Sequence, residues 1–342
     1  MLNIHPKFKL NNRYFSGKDD FLDYIKSCCE DDYDFLNEVL NLEYIKVKTS
    51  GSTGQPKHIS HSVQSLIKSA EATGQYFNLL SDIKALHCLS SDFIAGKMMW
   101  VRALHLGWHL KRVEPTAKPI ENIKGVFDFA AMVPLQAQES FDDLYRIKKL
   151  IIGGAPLSQV WEQKLTQLDT MVYMTYGMTE TITHIAVRQI GVTDVFETLP
   201  LVKITQDDKS CLVISVPYIS NTTIVTNDVV EIIDDKHFRW LGRHDYVINS
   251  GGVKLFPEQI ERQLHPFLTK PFLISSVSDN RLGEQMVLVI ESDPYDIDLE
   301  KLSEKSGLKA YNKPKKILFL DKFPITNNGK IKRSDVKRKI NQ

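Results

Sequence analysis

Thr49-Ser50-Gly51-Ser52-Thr53-Gly54-Gln55-Pro56-Lys57 stands between a short apolar run, Tyr44 to Val47, and a segment of helical periodicity, Val63 to Phe77. Strand, glycine-rich loop and helix form the unit from which α/β folds are assembled. The loop has the residues that hold a polyphosphate. Glycines let the backbone approach phosphate oxygens, hydroxyls and amides donate hydrogen bonds, and the lysine adds a point charge. The same residue types make an ordinary polar turn, and composition alone leaves both readings open. The P-loop of nucleotide hydrolases is excluded, because it requires Gly-Lys followed by Ser or Thr, whereas His58 follows Lys57.

Outward from this loop, strand and helix alternate. Towards the N-terminus, Phe21, Leu22, Tyr24 and Ile25, then Phe35, Leu36, Val39 and Leu40, fall at helical spacing and predict two amphipathic helices. Towards the C-terminus, Lys84 to Leu89 predicts a strand, Phe93 to Leu106 a buried helix, and Leu110 to Val113 and Phe127 to Val133 further strands. Lys149 to Ile152 runs into Gly153-Gly154-Ala155-Pro156-Leu157 and a helix over Val160 to Leu168. Val172 to Tyr176 repeats the pattern into Tyr176-Gly177-Met178-Thr179-Glu180-Thr181. Glycines at strand ends leave room for a flat ring against the backbone, which is where α/β sheets bind ligands. From Ile185 to Ile233 the pattern changes to short strands and turns. The expected fold is therefore α/β: a large N-terminal domain (1–244) with a mixed, layered sheet and a small β unit, then a small α+β domain (245–342).

The 342 residues suffice for a large core and for two domains. Lys and Arg (43) nearly balance Asp and Glu (42), so total charge suggests neither nucleic acid nor an anionic membrane as partner. Cys28, Cys29, Cys88 and Cys211 form no CxxC pair, which argues against a zinc site or disulfide framework and fits a reduced, cytoplasmic compartment. The N-terminus lacks a signal-peptide core, and no apolar run approaches the roughly 18 residues of a membrane span.

Four separated motifs occur in an order that resembles the adenylate-forming superfamily of acyl-CoA synthetases, peptide-synthetase adenylation domains and luciferases. They are the opening loop; Tyr176 to Thr181; Gly242-Arg243-His244-Asp245 with Ser250-Gly251-Gly252 and Pro257-Glu258-Gln259-Ile260-Glu261; and Pro324-Ile325-Thr326-Asn327-Asn328-Gly329-Lys330. The resemblance implies ATP, Mg²⁺ and coenzyme A as cofactor and co-substrates and a small-molecule carboxylate as substrate. It assigns Thr49, Ser50, Gly51, Ser52, Thr53, Gly54 and Lys57 to the phosphates. Gly153, Gly154, Ala155, Tyr176 and Gly177 go to the adenine, and Asp228 with Arg243 to the ribose. Glu180 would hold the metal, an oxygen ligand as that hard cation requires, and Thr179 would reach the α-phosphate. Asn227 stands where the family usually has glycine; asparagine also tolerates left-handed backbone angles. Lys330 matches the catalytic lysine, whose charge would stabilise the transition state of carboxylate attack. Asp245 matches the hinge about which the C-terminal domain rotates, bringing Gly252 and Lys254 towards the coenzyme A tunnel.

Leu89 to Leu106, Val133-Pro134-Leu135-Gln136 and the Gly-Gly-Ala-Pro-Leu segment resemble the o-succinylbenzoate:CoA ligases, the menaquinone-pathway branch. Those enzymes act on a dicarboxylate, so a cation is expected for the carboxylate that is not activated. Phe93, Gly96, Lys97 and Arg102 are the pocket candidates, with Phe93 where many relatives carry histidine. Most relatives have on the order of a hundred further residues before the phosphate loop, so a reduced N-terminal subdomain is expected. Another carboxylate:CoA ligase, a carrier-loading adenylating enzyme and a nucleotide-binding protein without turnover are the alternatives; Glu180 and Lys330 argue against the last.

Overall fold

Six parallel strands form one half of a twelve-stranded sheet, and six antiparallel strands extend it. The computed structural model describes residues 1–48, 58–219, 223–325 and 331–342. Thr49, Ser50, Gly51, Ser52, Thr53, Gly54 and Lys57, expected at the phosphates, and Lys330 lie outside the described residues. The parallel half runs in the order Lys9–Leu10, His109–Arg112, Lys84–His87, Phe127–Met132, Ile147–Ile152 and Met171–Gly177. The short strands expected as a small β unit continue it: His184–Gln189, Phe196–Thr198, His237–Arg243, Ile224–Ile232, Cys211–Ser215 and Lys203–Gln206.

The central parallel strands Phe127–Met132, Ile147–Ile152 and Met171–Gly177 are predominantly apolar, as helices cover both faces. One face packs under α1 (Lys18–Cys28), α2 (Glu30–Asn41), α3 (Val63–Phe77) and α4 (Ile94–Leu106), with Trp100 and Trp108 fully buried among them. The other packs against α5 (Pro134–Glu139) and α6 (Gln159–Leu165) around Leu144, Leu150 and Ile152. Helix α4 is largely apolar, and its residues from Met98 to Leu104 are buried. Gly96 lets it come close: a Cβ there would lie 2.1 Å from the carbonyl oxygen of Ser90.

Strands Tyr44–Lys48 and His58–Ser62, which flank residues 49–57 in sequence, form an antiparallel pair. A second sheet, from Ile248–Ser250 to Lys316–Leu320, has its own core under α7 (Pro257–Leu264) and α8 (Leu299–Lys305). Its hairpin Ile248–Ser250 to Val253–Leu255 turns at Gly251 (φ 57°) and Gly252 (φ 83°), angles a two-residue turn with both centres left-handed requires. No helix among the described residues is long and apolar enough to cross a membrane.

Candidate active site

Parallel strands align their C-terminal ends, so segments far apart in sequence meet at one edge of the sheet. There Lys84–His87 leads into Cys88 to Phe93, Ile147–Ile152 into Gly153 and Gly154, and Met171–Gly177 into the connection 178–183. Gln136 ties the first of these ends to the segment after His109–Arg112, donating to the carbonyls of Cys88 at 2.8 Å and Thr116 at 3.0 Å. Gly153 is forced by proximity, since a Cβ would lie 2.4 Å from Thr175 Oγ1. Gly154 takes φ 87° in the open. Ala155 follows on the same exposed loop.

The sheet changes from parallel to antiparallel at the connection 178–183, and the reversal is tight. A Cβ on Gly177 would lie 2.3 Å from the Thr183 carbonyl oxygen. The Thr181 hydroxyl accepts from Met178 N at 2.9 Å. Ile182, fully buried, is held at φ 67° and ψ −61°, closing a γ-turn in which Thr183 N donates to Thr181 O at 2.8 Å. Such a conformation costs a β-branched residue roughly 1–3 kcal/mol and persists where the surroundings impose it. Thr179 sits at the start of this turn and Glu180 on its exposed side.

The surroundings are specific. His61, on His58–Ser62, is buried and bonds through Nε2 to the carbonyl oxygen of Thr179 at 2.8 Å. Burial lowers its pKa, against the opposing pull of the Thr179 carbonyl and the Glu180 charge. At the far end, Thr73 of α3 donates to Ser69 O at 3.1 Å and so accepts from His184 Nε2 at 3.4 Å. His184 Nδ1 then accepts from the Thr183 hydroxyl at 3.4 Å, which accepts from Arg102 Nη2 at 3.3 Å. Each donor in this chain has one acceptor, which fixes the His184 tautomer by elimination. Burial, then the Arg102 charge, hold the His184 pKa well below its ordinary value.

Arg102 is the electrostatic anomaly of the site. It is 1% exposed, and among the described residues no carboxylate pairs with it; its Nε has no hydrogen-bond partner. Burial pulls the guanidinium down to about 9, which leaves it charged at neutral pH. An unpaired buried charge costs several kcal/mol. Lys97, the other expected pocket cation, is not brought to this point. It lies over the Phe35 ring at 4.5 Å, where burial lowers its pKa against the pull of Glu38, Asp92 and Asp32. Phe93, at the N-terminus of α4, is 63% exposed, and the loop before it is pinned by the Ser91 hydroxyl bonding to buried Asp32, which also accepts from Arg112 Nε at 3.1 Å.

On the antiparallel side Asp228 and Arg243 are register partners. Asp228, 7% exposed, accepts from the Tyr176 hydroxyl at 2.7 Å and from Trp240 Nε1 at 3.1 Å, with Arg243 Nη1 at 3.7 Å. Burial and the neighbouring carboxylate push the Tyr176 phenol well up, so it remains a donor. Its ring meets Phe238 and Phe196 edge-on at 5.3 and 5.9 Å. Each Asp228 oxygen keeps a lone pair, the capacity needed for a vicinal diol. Asn227 donates to Asp245 at 3.3 Å, and Arg243 Nη2 lies 3.6 Å from the same carboxylate. Gly252 and Lys254 lie on the exposed hairpin of the second sheet and form no hydrogen bond or ion pair with this cluster among the described residues.

Sequence reasoning missed His61, Thr73, Trp240, Thr183 and His184. Only His61 left a local signal: Ile59 and His61 alternate with serine and histidine on a short strand, a period of two that turns both inward.

The donor set fits the groups the resemblance implies. The exposed carboxylate of Glu180 is of the kind Mg²⁺ takes, one or two carboxylates with the shell completed by substrate phosphates and water. The close-approach glycines and the Asp228 lone pairs suit a nucleoside.

An AMP-binding enzyme family model matches residues 47–211. The 2-succinylbenzoate–CoA ligase of Escherichia coli is 26% identical over 83% of this chain and 66% of its own length. A feruloyl-CoA synthase of Amycolatopsis is 25% identical over 89% of this chain and 70% of its own. The chain thus spans about two thirds of the length of these curated relatives. The crystal structure of an acyl-CoA synthetase (AMP-forming)/AMP-acid ligase II-like protein from Dyadobacter fermentans is 35% identical, covers 91% of this chain and 93% of its own, and superimposes with a TM-score of 0.62.

Proposed function

Because the chain belongs to the AMP-binding, adenylate-forming enzyme family, we propose that it is an AMP-forming carboxylate:CoA ligase, using ATP, Mg²⁺ and coenzyme A. Its preferred acid is a dicarboxylate such as 2-succinylbenzoate. The observation that carries the choice of acid is Arg102, a buried cation without a carboxylate partner among the described residues, bonded to Thr183 on the turn that carries Thr179 and Glu180. A second carboxylate on the substrate would neutralise it and offset its desolvation, which a monocarboxylate consumed in the reaction cannot do.

In the first half-reaction an oxygen of the other carboxylate attacks the α-phosphorus of ATP, forming a mixed anhydride with AMP and expelling diphosphate. Residues 49–57 are assigned to the leaving diphosphate, Thr179 to the α-phosphate and Lys330 to the charge at the attacking oxygen. Tyr176 and Trp240 hold Asp228 for the ribose hydroxyls. Glu180 would hold Mg²⁺, which when bound neutralises phosphate charge. In the second half-reaction the thiol of coenzyme A attacks the acyl carbon and AMP leaves. Residues 245–342 are assigned to a rotation about Asp245 that withdraws Lys330 and presents Gly252 and Lys254. The cytoplasm is the compartment proposed.

AMP release in the presence of ATP, Mg²⁺, coenzyme A and 2-succinylbenzoate tests the reading, with benzoate and ferulate alongside. Turnover with the dicarboxylate is expected, and Arg102→Met should lower kcat/KM for it at least 100-fold. Turnover with the monocarboxylates alone would replace the acid and keep the ligase; ATP binding without AMP from any acid would overturn both.

A further inference from the structure

We infer that His61 is the positioning residue for the metal-bearing turn: its Nε2–H, bonded to the Thr179 carbonyl, sets the direction of Glu180. This rests on the proposed roles of Thr179 and Glu180. The carbonyl oxygen only accepts, so Nε2 carries the proton in this bond. The Thr179 oxygen receives two donors, Ile182 N at 3.0 Å from within the turn and His61 Nε2 at 2.8 Å from outside it. That oxygen belongs to the same rigid peptide plane as the nitrogen of Glu180. Holding the carbonyl in two directions therefore fixes the plane from which the Glu180 Cα and side chain project.

His61 is well anchored for this work. Its strand is paired along its length with Tyr44–Lys48, with His61 opposite buried Ile45. The next residue, Ser62, caps α3 by accepting from Ser65 N at 3.0 Å. Helix α3 reaches the other end of the same turn through Thr73 and His184. One strand-and-helix unit thus grips the turn at residues 179 and 184 and opposes relaxation of the strained Ile182 between them. The same strand is the chain's exit from the phosphate loop. The bond consequently ties the turn that carries Glu180 to the strand His58–Ser62, before a ligand is met.

Amide hydrogen exchange of the unliganded full chain, with calorimetric ATP affinity in Mg²⁺ and in EDTA, tests the assignment on wild type, His61→Ala and His61→Gln. Glutamine places an N–H near the Nε2 position. In His61→Ala, the amides of Thr181, Ile182 and Thr183 should exchange at least tenfold faster. ATP affinity should fall about tenfold in Mg²⁺ and less than twofold in EDTA, and His61→Gln should recover most of both effects. Unchanged exchange in His61→Ala overturns the inference. So does an equal loss of both affinities accompanied by a lowered Tm that His61→Gln shares, which marks a merely structural residue. Acid-dependent AMP release by the wild type is measured separately. Its failure would remove the proposed reaction while leaving the exchange result to decide the role of His61.

Discussion

Arg102 and His87 are both buried and underpartnered, yet they mean different things. Arg102 stays charged and bonds to the turn at Thr183, the contact on which the proposed dicarboxylate preference rests. His87 is 1% exposed, neither ring nitrogen has a partner among the described residues, and Trp100 meets it edge-on at 5.2 Å. Burial, opposed by Asp32, brings its pKa from 6.5 down to about 4. The folded state therefore refuses a proton that the unfolded chain accepts. The stability of keeping His87 neutral is complete above pH 6.5 and is lost as pH falls from there towards 4, by on the order of 3 kcal/mol. His87→Phe should flatten the stability curve over that window; urea titrations at pH 7 and pH 4.5 that show the same loss in variant and wild type would refute this. Neither behaviour was legible in the sequence, where Arg102 was one of two equivalent cations on a helix. Periodicity says that a side chain points inward, whereas the absence of a counter-ion depends on every element that packs around it.

The connection 178–183 shows at the element scale how motif and strain coincide. Its residues were recognisable as Tyr-Gly-x-Thr-Glu, but the reversal from parallel to antiparallel sheet and the γ-turn at Ile182 were not. Both follow from pairing Gly177 with His184 across a bulge after Tyr176. Glycine at 177 is required by space, since a Cβ would also lie 2.5 Å from His184 Cα. Backbone atoms cannot step aside as a flexible side chain would. Gly177→Ala should therefore cost at least about 2 kcal/mol by denaturant unfolding and weaken Mg²⁺-dependent ATP binding more than Mg²⁺-free binding. An alanine variant within 0.5 kcal/mol of wild type would show that the turn has room that this geometry denies.

At the scale of the whole molecule, polar contacts among the described residues join the second sheet to the first. Arg262 of α7 donates to Glu162 of α6 at 2.6 Å, where Arg188 also binds; Gln259 donates to Trp240 O at 2.9 Å; and Glu258 accepts from Arg243 N at 3.2 Å. Interfaces of this polar kind between parts of one chain are compatible with relative motion. If residues 245–342 rotate between half-reactions, Lys330→Ala should reduce acyl-adenylate formation at least 100-fold and leave thioester formation from supplied acyl-adenylate within about threefold. Rapid-quench assays of the two steps check it, and equal losses in both would assign Lys330 another role. The sequence by itself determined the alternation of strand and helix, the glycines at strand ends and the order of the motifs, because periodicity and turn chemistry are properties of neighbouring residues. Tertiary structure alone decided that Asp228 is held by Tyr176 and Trp240, that Arg102 has no carboxylate partner among the described residues, and that His61 grips a carbonyl 118 residues away. Those pairings are set by the order of strands in the sheet, which no local pattern records.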